Sequence, residues 1–118
     1  MVNSRQKGKR IELEACRVFR SLGIPAQRSV QYQGRGSPGD IVIPWTNLHL
    51  EAKGRRAIVF HRFYEQAVAD ARHGSIPLVV SHEDRGEWLA TMRVAHIDKV
   101  AEQLLHAAAC WAREQSEG

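Results

Sequence analysis

The 118 residues predict an α/β fold, a central mixed sheet flanked by helices, from three observations. Apolar residues recur every three or four positions in three segments, short β-branched or alternating runs lie between them, and Gly, Pro, Asn and Asp mark the boundaries. Composition agrees, because 43% hydrophobic and 25% charged residues are those of an ordinary globular domain, expected to span 1–118 as one unit.

From about Arg5 to Leu22, the residues Ile11, Ala15, Val18, Phe19 and Leu22 mark one face of an amphipathic helix, stopped by Gly23 with Pro25 beyond it. On a helical wheel Glu12 falls beside Phe19 at the edge of the stripe while Glu14 points away, so Glu12 is the half-buried acid. Residues 26–32 have the look of a short polar strand, and Gly34-Arg35-Gly36-Ser37-Pro38-Gly39 is a loop closed by Asp40. Ile41-Val42-Ile43, ended by Pro44, and Leu48 to Lys53 read as a hairpin turning around Thr46-Asn47. Alternation in its second strand puts Glu51 and Lys53 on one face, with Leu50 and Ala52 on the other.

A helix from about Phe63 to His73 follows through Phe63, Ala67, Val68 and Ala71, closed by Gly74. Ile76 to Val80 is a buried strand, Glu83-Asp84-Arg85-Gly86 a turn, and Glu87 to Arg93 the partner strand. Ile97, Val100, Ala101, Leu104, Leu105, Ala108, Ala109 and Ala112 then give a long apolar stripe to a C-terminal helix over 97–114.

Charge is unevenly spread. Residues 1–35 carry eight Lys/Arg against two acids, whereas the remaining 83 carry nine against eleven. A polyanion met by the N-terminal third follows, since phosphates bind by charge neutralisation and counterion release. Arg5, Lys7, Lys9 and Arg10 form a basic arm over residues 1–10, and Arg35, Arg55, Arg56 and Arg62 extend the track as phosphate contacts. No apolar run reaches the ~20 residues of a membrane helix, and the N-terminus lacks a secretory apolar stretch. Cys16 and Cys110 belong to no Cys-x-x-Cys or Cys/His cluster, which argues against a disulfide framework or zinc site and fits a cytoplasmic protein. His49, His73, His82, His96 and His106 lack ligand spacing and read as surface or partly packed residues.

The chemistry concentrates in Glu12, Asp40, Glu51 and Lys53, which a helix, a strand start and an adjacent strand can bring to one sheet edge. Carboxylates on neighbouring strands offer hard oxygen ligands suited to Mg²⁺, with Mn²⁺ as substitute, rather than zinc. A lysine two residues after the second acid stands beside the ion. Phosphodiester hydrolysis needs this set: a cation that polarises the phosphate and a charge near the attacking group.

Pro38-Gly39-Asp40-Ile41 followed by Leu50-Glu51-Ala52-Lys53 resembles the PD-(D/E)XK nuclease signature, with Gly39 inserted between proline and aspartate. Lys7-Gly8-Lys9-Arg10-Ile11-Glu12 looks like the K-G-x-x-x-E opening of archaeal-type Holliday junction resolvases, a family that some bacteriophages also encode. Glu65-Gln66-Ala67 is similar to that family's helix-borne glutamine motif, and Gly74 to Val80 to the strand after it. The resemblance implies a restriction-endonuclease-like core, with Glu12, Asp40, Glu51 and the Ala52 carbonyl around the metal, Lys53 positioning the attacking water and Gln66 orienting the lysine. It also implies a contributing serine before the aspartate, with Ser29 and Ser37 both open.

The expected activity is therefore Mg²⁺-dependent nicking of four-way DNA junctions, in the host cytoplasm if the chain is phage-encoded. Two other readings stay open: a nuclease of the same fold acting on other DNA in repair or restriction, and a DNA-binding protein without catalysis. Paired nicks on a two-fold junction call for a homodimer, to which Leu104, Leu105, Ala108 and Trp111 are expected to contribute. Neither a membrane nor a small-molecule cofactor is expected.

Overall fold

The computed structural model describes residues 4–29, 39–55 and 58–117. Helix α1 (Ser4–Ser21) leads to strands β1 (Gln27–Arg28), β2 (Ile41–Val42) and β3 (Leu48–Arg55), then helix α2 (Phe60–Asp70), strands β4 (Ile76–Glu83) and β5 (Leu89–Thr91), and helix α3 (Ile97–Glu117), which a 3₁₀ turn at Val94–His96 introduces. The expected element order and α/β class are those observed, with a mixed sheet flanked by helices.

The sheet has order β3-β4-β5, with β3 and β4 parallel and β4 and β5 antiparallel. Leu48 pairs with Ile76, Leu50 with Leu78, Ala52 with Val80 and Lys53 with Ser81. Their apolar side chains, Leu48, Leu50, Ala52, Ile76, Leu78 and Val80, share one core with Ile11, Ala15 and Cys16 of α1 and Val100 and Ala107 of α3. Helix α2 covers the opposite face, where Ala67 and Val79 are fully buried and Phe63 reaches Lys53 and Arg55. Gly54 has no room for a Cβ, which would fall on Ile11 Cδ1, so α1 docks directly on β3 and brings its first turns against the strand.

Several expectations are corrected. The hairpin is not formed. β2 pairs with β1, antiparallel, at Gln27↔Val42 and Arg28↔Ile41, and among the described residues the bridge to β3 falls just before β2, between Gly39 and Leu50, in parallel pattern. The connection from β2 to β3 is irregular, with Trp45 at a left-handed φ of 68° and Thr46 Oγ1 donating to Ile43 O at 2.7 Å. The polar strand expected over 26–32 is limited to Gln27–Arg28, its later part lying outside the described residues.

Of the basic segment 1–10, the part from Ser4 onward is the start of α1, in line with the helix expected from about Arg5. Helix α2 starts and ends three residues before the expected bounds, since Ala71 is already extended at φ −67° and ψ 142°. In α3 the buried face runs through Val100, Ala107 and Cys110, and Ile97 (51% exposed) and Leu105 (72% exposed) point outward, because the face that meets the sheet is rotated from the expected stripe and Leu105 lies about 160° round the helix from Ala107. No helix among the described residues is long and apolar enough to cross a membrane.

Candidate active site

Asp40 enters the site through a backbone only glycine permits. Gly39 has φ of 94°, and a Cβ there would collide with Leu50 O. Asp40 N donates to Leu50 O at 2.9 Å, its carbonyl accepts from Ser29 N at 2.8 Å, and Oδ2 accepts from Ala52 N at 3.2 Å. The aspartate is thus attached to β3 although its own strand pairs elsewhere.

Glu51 and Lys53 share the face predicted by alternation, with Lys53 Nζ 3.5 Å from Glu51 Oε1. His49 lies on that face too. It is fully buried, and its Nε2 sits 2.9 Å from Glu51 Oε2. This overturns its reading as a surface or partly packed residue, since α2 covers the face on which it stands. The signal was present in the spacing, because residues 49, 51 and 53 alternate onto one side of a strand.

Glu12, expected to be half-buried, is buried, and its Oε1 accepts from Arg28 Nε at 2.7 Å. Arg28 is a second residue that sequence reasoning missed, since nothing in one chain links a strand arginine to a helix acid 16 positions earlier. Lys7, Gly8, Ile11, Glu12, Asp40, Ala52, Lys53, Gly54 and Arg55 line one open cleft of about 390 Å³. Two of the three expected acids, Glu12 and Asp40, therefore meet the lysine and two of the expected phosphate contacts at this cleft, while Glu51 stands behind Lys53 and does not line it.

Other expected residues do not. Gln66 is exposed on α2 and does not line the cleft, while Phe63 occupies the ground above Lys53, whose Nζ lies 5.6 Å from the ring centroid. Arg5, Lys9, Arg10 and Arg62 are exposed, and Ser29 is buried with its amide spent on Asp40. Arg35, Ser37 and Arg56 lie outside the described residues.

The electrostatics separate the two central acids. Burial, reinforced by the charges of Glu12 and Glu51, pushes the Asp40 carboxyl up to about 6 against the pull of Ala52 N–H and Lys53. Glu51 is also penalised by burial, but the His49 hydrogen bond and the Lys53 charge outweigh this and hold it below the ordinary range. Among the described residues no three His, Cys, Asp or Glu side chains converge as a ready-made metal cluster. Glu12 is turned to Arg28, and Glu51 to His49 and Lys53. The donor chemistry still fits a hard divalent ion, because Asp40 is a half-buried carboxylate beside two further acids with too little positive charge at hand.

An aspartate bonded to the flank of an E-x-K strand, with a helix glutamate across the cleft and a mixed sheet behind, is the arrangement of a PD-(D/E)XK nuclease. Comparison with known families agrees: the model of the family described as "Phage putative PDDEXK endonuclease" matches residues 3–116. The chain belongs to that family. No curated protein matches it, and no solved structure does.

Proposed function

We propose that this nuclease is a divalent-metal-dependent endodeoxyribonuclease that nicks four-way (Holliday) junctions. The observation that carries the hydrolytic reading is Asp40, a half-buried carboxyl bonded to the E-x-K strand, lining an open cleft and raised to about 6. Asp40, Glu51 and the Ala52 carbonyl are the groups that would hold Mg²⁺ or Mn²⁺, with Glu12 at the cleft wall completing the charge. Such an ion supplies polarisation of the phosphate and neutralisation of charge as the bond breaks.

The chain's own groups do the rest. Lys53 is held against Glu51 Oε1 and roofed by Phe63, so its ammonium is fixed where it can orient an attacking water or meet developing negative charge. His49 fixes the other oxygen of Glu51. Lys7 and Arg55 face the same cleft and suit phosphate contacts, to which Arg5, Lys9, Arg10 and Arg62 add positive surface. Junction selectivity is supported by the opening Lys7-Gly8-Lys9-Arg10-Ile11-Glu12, four of whose residues line the cleft that contains Asp40.

Two nicks across a two-fold junction need two such sites, so the protein acts as a homodimer in this reading. Of the four expected contact residues, Leu104 and Ala108 pack on the core and Trp111 is half-buried, which leaves Leu105, joined by Ile97, as the apolar surface offered to a second copy. Sedimentation is expected to give a dimer that Leu105→Glu converts to monomer. A parent protein that stays monomeric at micromolar concentration removes the dimer.

The deciding experiment incubates the protein in Mg²⁺ and in EDTA with an end-labelled four-way junction, a duplex and a flapped duplex of equal length. Symmetric, Mg²⁺-dependent nicks in the junction alone are expected. Cutting of duplex or flap assigns other DNA as substrate, and binding without product in Mg²⁺ or Mn²⁺ makes the chain a DNA-binding protein without catalysis.

A further inference from the structure

At the other end of β4 a second cleft, of about 530 Å³, opens between the end of α2, the start of β4 and the entry to α3. Its wall carries Arg72, His73, Arg93, His96 and Lys99 and, among the described residues, no carboxylate. Arg72, Arg93 and Lys99 give this polar hollow a positive lining, which suits an anion. His96 Nδ1 is buried there without a hydrogen-bond partner among the described residues. The Arg93 guanidinium is braced 5.9 Å from the centre of the Tyr64 ring, which directs a planar donor rather than leaving it to wander.

The placement identifies the anion. Lys53 is paired with Ser81, and the second cleft opens at Ile76, five residues earlier on β4. At about 3.3 Å per residue the two lie roughly 17 Å apart along the strand, about five base-pair steps along a duplex axis at 3.4 Å each. An isolated small anion would not need a hollow this large or this many cations. A repeating phosphodiester does.

We infer that this cleft is a second DNA-backbone site, holding phosphates of the substrate away from the bond to be cut while the Asp40 cleft engages the scissile strand. The inference rests on the proposed nuclease function for its choice of DNA. Neither Arg72, Arg93 nor Lys99 touches the candidate active site, so binding and cutting can be read separately.

The test is the salt dependence of binding, measured without divalent metal on a four-way junction and on a linear duplex. Arg72→Gln with Lys99→Gln in one chain is expected to flatten the slope of log K against log salt by about 2, and to weaken binding about ten- to a hundredfold near 0.1 M salt, since each phosphate contact contributes roughly 0.9 to that slope. Arg93→Gln is made separately, because it also rests on Tyr64 and its loss can disturb packing. Arg113→Gln, an exposed arginine near the far end of α3, controls for net charge and is expected to leave the slope unchanged.

Flattening on both DNAs assigns the cleft to one continuous duplex, flattening on the junction alone assigns it to a separate arm, and either supports the site. A folded double variant with the parent slope on both DNAs overturns it, as does an equal effect of Arg113→Gln. A chain that nicks no DNA yet shows the flattened slope sinks the nuclease reading and leaves the second site standing.

Discussion

Asp40 and Glu51 stand on adjacent backbones, joined through Leu50 and Ala52, yet their carboxyls are shifted in opposite directions. Glu51 is buried and Asp40 half-buried. Glu51 has a histidine on one oxygen and a lysine near the other, while Asp40 faces two glutamates with only Lys53 and one amide in its favour. The contrast is one of surroundings: without a metal ion Glu51 has cationic and hydrogen-bonding partners on both oxygens, and Asp40 is the acid whose surroundings leave the most negative charge to be balanced.

The sharpest way to break the comparison is to neutralise either acid or the lysine. Asp40→Asn, Glu51→Gln and Lys53→Ala are each expected to lower nicking about a thousandfold or more, some 4 kcal/mol of barrier, while filter binding to a junction in EDTA stays near the parent value. Cleavage at the parent rate in any of them ends the site assignment.

Next in size is the pH dependence of stability without metal. The folded carboxyl of Asp40 is raised from 3.8 to about 6, so the folded state binds its proton more tightly than the unfolded chain does. Its contribution is therefore favourable below pH 3.8 and is lost as pH rises through about 6, a swing of no more than about 3 kcal/mol. Thermal unfolding should find Asp40→Asn more stable than the parent at pH 7.5 and equal to it near pH 3.5. Millimolar Mg²⁺ should restore stability to the parent alone. A parent and variant that differ equally at both pH values would contradict the asymmetry.

His49→Ala attacks the satisfied side of the pair. It leaves a buried Glu51 oxygen without its donor, and a loss of roughly 1–3 kcal/mol in unfolding free energy is expected, with nicking down about ten- to a hundredfold. Partial recovery in His49→Gln, which keeps a donor, separates positioning from bulk packing. Arg28→Ala removes a partly exposed cation from Glu12 and should cost about 1 kcal/mol by denaturant titration. Smallest of all, Gln66→Ala is expected to change nicking less than twofold, because the side chain is exposed and outside the cleft.

The comparison also explains what could be read from sequence. Glu51 and Lys53 were legible because alternation along one strand is a local rule, and Glu12 because a helix wheel fixes its edge position. The burial of His49 was not, since the same alternation puts it on a face whose covering, α2, is known only from tertiary structure. The partner of β2 was hidden for a related reason: β1 lies back across the 12 residues 29–40, whereas β3 begins after only the 5 residues 43–47 and offered the shorter connection. Gln66 sits one position before the buried Ala67, and a helix pattern cannot say which flank of its apolar face meets the site. On α3 the periodicity was true, but the face that meets the sheet is rotated from the stripe it marked.

The attachment of Asp40 has a thermodynamic consequence. Its amide, carbonyl and side chain are each already bonded, and Gly39 leaves no slack between it and Leu50. Little ordering of the chain then remains when a ligand arrives, so capture should register in a calorimeter as released water and dispersed charge instead of lost backbone freedom. Gly39→Ala, whose methyl must push Leu50 aside, turns that pre-set receptor into one that has to be assembled at each encounter.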